Sequence, residues 1–144
     1  HIDVIPDVYF FDHNEAGPRM IAKELRNRGS LIYYECENNR EWNKFIKSVE
    51  VADIVKFSDD NVSDLSFCAD YKNKLFIQTQ GSKGLRFSLC GGGWIHVSPI
   101  EVNNVVDWEG CGDTVSAVFI NELGKMGLPN MSELTEEQIK EILS

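Results

Sequence analysis

Clusters of positive charge are missing from this chain. Against 23 Asp and Glu stand 14 Lys and Arg, a formal net charge of −9, and the basic residues are scattered. No surface is expected that could track a phosphate backbone or hold an anionic membrane, so neither nucleic acid nor membrane is an expected partner. Cys36, Cys68, Cys90 and Cys111 form no CxxC pair, and there are only three histidines. That pattern suggests neither a structural zinc site nor a disulfide framework, and a reducing cytoplasm is the expected compartment. No apolar run is long enough to span a bilayer, and the start lacks the basic, apolar and small-residue succession of a secretory leader. No GxGxxG follows the first apolar run either, which ranks a Rossmann-type dinucleotide enzyme low.

What is present is one domain's worth of sequence, 144 residues of which 42% are hydrophobic, enough for a core. The chain opens on His1-Ile2-Asp3 and closes on a helix-like Thr135–Ser144 run. Residues 1–144 are therefore expected to be a portion truncated at both ends.

Apolar, β-prone runs alternate with helical spacing. Val8-Tyr9-Phe10-Phe11 precedes a stretch from about Asn14 to Arg28 in which Ile21, Ala22 and Leu25 share one face, with Gly29 as the stop. Leu31-Ile32-Tyr33-Tyr34 precedes Trp42, Phe45, Ile46 and Val49, again at helical spacing. A third strand, Ala52–Phe57, leads through a helix-compatible Val62–Tyr71 to a fourth, Lys74–Thr79. Such alternation predicts an α/β fold with a mainly parallel sheet and helices on both faces. After Thr79, Gly81 and Gly84 bracket a turn, and Leu85–Leu89 and Trp94–Val97 predict a hairpin at one edge of the sheet. Val115, Val118, Phe119, Glu122, Leu123 and Met126 then fit an amphipathic helix ending near Gly127 and Pro129.

The residues that carry chemistry lie at the start of that last helix, in Gly110-Cys111-Gly112-Asp113. Glycines in a turn entering a helix let an anion approach backbone N–H groups, and the helix start presents roughly half a positive charge. A carboxylate at the same spot, Asp113, can accept a hydroxyl proton while the amides stabilise a transferring phosphoryl group. The structural alternative is a strand-to-helix turn with Asp113 as N-cap and the glycines serving positive φ.

Two ordered segments turn this into a family resemblance. Asp107-x-x-Gly110-x-Gly112-Asp113 resembles the C-terminal signature of the ribokinase-like (PfkB) carbohydrate kinases, whose usual form is D-T-x-G-A-G-D. Upstream, Thr79-Gln80-Gly81-Ser82-Lys83-Gly84 is similar to the T-x-G-x-x-G nucleotide turn of that family. Ser48–Phe57 also resembles the family strand before its N-x-x-E motif. The resemblance implies a ribokinase-like fold and ATP-dependent phosphoryl transfer to a hydroxyl of a sugar or sugar-like substrate. Asp113 would be the base, and Gly110, Cys111 and Gly112 the anion hole. Thr79, Gly81, Lys83 and Gly84 would line the ATP site, and Asp107 would help hold a monovalent cation such as K+.

The chain departs from the pattern where the family has N-x-x-E, since Ser58-Asp59-Asp60-Asn61 stands there. Asp59 or Asp60 is the candidate for handling Mg2+ through water, with helix capping as the structural alternative. Trp108 replaces the signature threonine and Cys111 its alanine. Glu35-Cys36-Glu37-Asn38-Asn39-Arg40 matches the family's D-P-N-x-R only loosely, so the sugar is not specified. The implied partners are the sugar and ATP, a homodimer stays open, and a degenerate member that binds nucleotide or sugar without turnover is the alternative function.

Overall fold

A computed structural model describes residues 3–99 and 110–144; Asp107, the candidate cation ligand, lies outside them. Six strands form one sheet in the order β1-β2-β3-β4-β5-β6: β1 (Val8–Phe11), β2 (Leu31–Glu35), β3 (Ile54–Ser58), β4 (Leu75–Thr79), β5 (Leu85–Leu89) and β6 (Ile95–Val97). The first four are parallel, while β4, β5 and β6 pair antiparallel. The mainly parallel sheet with an antiparallel edge is thus as expected. Four helices accompany it: α1 (Ala16–Asn27), α2 (Trp42–Val51), α3 (Cys111–Lys125) and α4 (Glu136–Leu143). None among the described residues is long and apolar enough to cross a membrane.

The helices divide between the faces for a topological reason. Parallel strands laid down in chain order with crossovers of one hand send every connection over the same face. Accordingly Ala22 and Leu25 of α1 and Phe45 and Val49 of α2 join Ile32, Tyr34, Val55, Phe57 and Phe76 in one core. The alternate residues of the same strands, Tyr33, Ile54, Leu75 and Ile77, face the other way. That second face is left for the chain beyond the hairpin, and Phe119 and Leu123 of α3 and Ile139 of α4 cover it. Burial on both faces explains why β3 and β4 read as near-continuous apolar runs.

One expected helix is absent. Between β3 and β4 the chain makes only a 3₁₀ turn, Ser66–Asp70, in place of a helix over Val62–Tyr71. Asp64 Oδ1 accepts the N–H of Ser66 at 2.9 Å, a local side-chain bond that competes with helical pairing. The turn instead lowers Phe67 edge-on against Phe45 and Phe76, with ring centroids 5.5 and 5.7 Å away, an arrangement favoured by the ring quadrupoles.

Candidate active site

The start of α3 lies within Gly110–Asp113, but Asp113 does not take the N-cap position of the structural alternative. The helix begins at Cys111, and Gly110, with φ of 75°, is its N-cap in the left-handed region, where a side chain is strained. Asp113 is therefore the third helical residue and not the cap. Its acidic side chain stands in the first turn of the helix, and its residue is exposed. The N–H of Thr114 takes the Gly110 carbonyl at 2.9 Å. The three N–H groups before it, those of Cys111, Gly112 and Asp113, precede the first intrahelical pair and are geometrically open to an anion. Cys111 is exposed and free.

A buried polar cluster lies under this turn. Lys56, 2% exposed in the middle of β3, donates to Glu35 Oε1 at 2.5 Å, to the Gly112 carbonyl at 2.6 Å and to Ser116 Oγ at 2.9 Å. Ser116 Oγ donates to Glu35 Oε2 at 2.7 Å, and Tyr33 Oη donates to Ser116 Oγ at 3.1 Å. Lys56 thus uses all three of its donors. The geometry follows from register: Glu35 and Lys56 are direct partners across β2 and β3, and Ser116 lies three residues before Phe119 on the inward stripe of α3. Burial, more than the neighbouring Glu35 charge, drives the Tyr33 phenol far above its usual range, so it stays protonated and able to donate.

In the sequence Glu35 stands out only as a loose motif match, Lys56 lies in the Ser48–Phe57 strand resemblance without being singled out there, and Ser116 belongs to no motif. Two signals are nevertheless there: a lysine inside the run Ile54-Val55-Lys56-Phe57, and a serine on the apolar stripe of the last long helix. A charge in a strand buried on both faces requires a partner.

The nucleotide-turn candidates lie at the carboxyl end of β4. Thr79 is its last residue, and the 3₁₀ turn Gly81–Lys83 follows. By strand alternation Thr79 lies on the face of Leu75 and Ile77, the side that α3 covers. Lys83 is exposed. Gly84 has φ of 93°, and a Cβ there would meet the Val97 carbonyl at 2.3 Å, so this glycine is required by the approach of β6.

Asp59 follows β3, and its N–H donates to the Thr79 carbonyl at 2.9 Å, which joins the ends of the two strands. Asp60 is exposed beside it. Among the described residues no three His, Cys, Asp or Glu side chains group as a metal site. Asn61 serves the fold, since its amide donates to the carbonyls of Cys36 and Glu37 at 3.3 and 3.0 Å and ties down the chain after β2.

Glu35, Asp59, Thr79 and the α3 start therefore gather at the carboxyl ends of the parallel strands, where α/β sheets bind ligands. A groove lined by Asp7, Arg26, Ser30, Asp53 and Asn130 lies at the opposite ends of the strands and takes no part in this arrangement.

No protein-family model matches this chain, and no curated protein does. Solved structures do resemble it. An uncharacterized sugar kinase from Pyrococcus horikoshii in complex with ATP superposes with a TM-score of 0.64 at 22% identity, over 83% of this chain and 44% of that one. The apo form of a protein assigned as ribokinase II from E. coli gives 0.58 at 19%, over 74% and 40%. A protein assigned as a ribokinase from Agrobacterium tumefaciens gives 0.61 at 14%, over 83% and 42%. The chain spans less than half the length of each of these proteins. It carries the ribokinase-like, PfkB-type fold, in the C-terminal part of that fold.

Proposed function

We propose that residues 1–144 are the catalytic and nucleotide-binding portion of an ATP-dependent phosphotransferase acting on a hydroxyl of a sugar or sugar-like alcohol. The observation that carries this reading is the convergence of the α3 start and the Thr79 turn at one end and on one face of the sheet. The complex of the Pyrococcus horikoshii sugar kinase with ATP supports a nucleotide there.

In this reading the acceptor hydroxyl gives its proton to Asp113 as its oxygen attacks the γ-phosphorus. The bond from that phosphorus to the β,γ-bridging oxygen breaks, and ADP leaves. The amides at Gly110, Cys111, Gly112 and Asp113 take up the charge spreading over the transferred group. Thr79, Gly81 and Gly84 line the nucleotide, and Lys83 reaches a phosphate. Asp59 and Asp60 offer hard carboxylate oxygens suited to Mg2+ held through water, which would neutralise phosphate charge when bound. Asp107 is assigned to a monovalent cation. Asp113→Asn in the full-length protein removes the proton acceptor and keeps the shape. Turnover of a panel of common sugars with MgATP should fall below detection while calorimetric ATP affinity persists; an active variant would overturn the assignment of Asp113.

A second reading is a binding protein without turnover. It is motivated by Ser58 at the asparagine position of the family motif and by Asn61, at its glutamate position, whose amide is spent on two backbone carbonyls. ATP binding by calorimetry together with absence of turnover in the wild-type full-length protein would favour it.

A further inference from the structure

The geometry points to Lys56 as a positioning residue that aims the anion-hole amides from below, with Glu35 and Ser116 holding it in place; this rests on the phosphotransferase reading above. One peptide plane makes the connection. The carbonyl of Gly112 and the N–H of Asp113 belong to the same trans peptide unit and point in opposite directions. Lys56 Nζ holds that carbonyl at 2.6 Å, so it also fixes where the Asp113 N–H points, toward the open start of α3. A charged donor on the oxygen polarises the peptide, and its N–H becomes a stronger donor at the other end.

The remaining contacts are what such a device needs. Glu35 Oε1 at 2.5 Å compensates the ammonium, so Lys56 acts through direction rather than through net charge. Ser116 links the pair to α3 from one turn further on, receiving from Lys56 and giving to Glu35. The same three residues therefore tie the first turn of α3 to β2 and β3. The pair lies directly against the backbone of Gly112, where a Cβ would be in contact with Lys56 Nζ at 3.4 Å and Glu35 Oε1 at 3.6 Å. Lys56 is too deeply buried to meet a ligand itself.

The test uses the full-length protein with Lys56→Met, which keeps length and removes charge and donors, and Ser116→Ala as the milder variant. In Lys56→Met, kcat should fall by about 10²-fold, the scale of a misplaced reacting group, with the KM for ATP within about threefold of wild type. Ser116→Ala should lose less, and the double variant should lose no more than Lys56→Met alone, because the residues act as a unit. In ¹⁵N-labelled protein the Asp113 amide resonance should move upfield in both variants as its peptide loses polarisation. A folded Lys56→Met protein with wild-type kcat and an unmoved Asp113 amide overturns the proposal. Should Lys56→Met fail to fold, the Ser116→Ala amide shift and kcat decide the matter in the same way. The amide readout needs no turnover, so a wild-type protein inactive on every sugar would defeat the kinase reading and leave the positioning decided by the resonance.

Discussion

At the scale of single residues, the molecule holds two buried lysines that are handled differently. Lys56 is matched by a carboxylate, a hydroxyl and a carbonyl. Lys74, 3% exposed, has carbonyls only: Ala52 at 2.5 Å and Glu50 at 3.2 Å, with the Tyr71 ring 5.4 Å below it. Those carbonyls close α2, so the ammonium faces the negative end of the helix. Burial nevertheless dominates, reinforced by the Arg26 charge, and lowers the Lys74 pKa to about 8. Between about pH 8 and the unfolded value of 10.5 the unfolded chain holds a proton that the folded chain has released, so this group adds stability as pH rises through that window. Urea unfolding at several pH values between 7.5 and 10 should show wild type gaining on Lys74→Met as pH increases. Parallel stabilities of the two across that range would refute the assignment.

Both lysines also mark the limit of pattern reading at this scale. A lysine in an apolar strand announces that a partner exists, but a partner 21 or 60 residues away, such as Glu35 or Ser116, is visible only once strands are in register and α3 is docked. The glycines behave differently. The positive φ of Gly110 and Gly84 is a local demand of the backbone, and both are legible as turn glycines.

At the scale of elements, α2 depends on aromatic packing more than on its start, where the N-cap Glu41 makes no side-chain cap bond. Phe45, fully buried, meets Tyr34, Trp42, Phe57 and Phe67 with centroids 6.2, 5.0, 6.4 and 5.5 Å away. Phe45→Ala should cost about 3–5 kcal/mol, the range for an aromatic removed from a packed core, measured as a lowered urea midpoint. A loss under about 1 kcal/mol would mean that α2 is held some other way. The 3₁₀ turn at Ser66–Asp70 belongs to the same packing: Val62–Tyr71 is compatible with a helix in sequence, yet Phe67 is used to fill the sheet face between Phe45 and Phe76. Periodicity cannot separate these outcomes over ten residues, because a short segment gains little from helix formation by itself.

At the scale of the whole molecule, β3 lies in the middle of the stability. It is paired on both sides, and Ile54, Val55, Lys56 and Phe57 are all buried. In contrast α4 is an eight-residue helix with one buried side chain, Ile139. Amide hydrogen exchange of the 144-residue chain should find Val55 and Phe57 among the slowest amides, opening only with global unfolding, while α4 exchanges by local opening. Equal protection in β3 and α4 would contradict this ordering.

The alternation of apolar strands and helical spacing, the glycine turns and the Gly110–Asp113 motif were all determined by the sequence itself, because each is a local property: side-chain period, φ preference and the approach of small residues. The parallel sheet followed from them, since strands separated by helix-length connections can pair in few other ways. Only the tertiary structure decided which face each helix covers, that Asp113 is the third residue of α3 and not its cap, and that Lys56, Glu35, Tyr33 and Ser116 meet beneath the turn. Those contacts join strands and a helix far apart in the chain, and their energy exists only when burial removes the water that would otherwise satisfy the same polar groups.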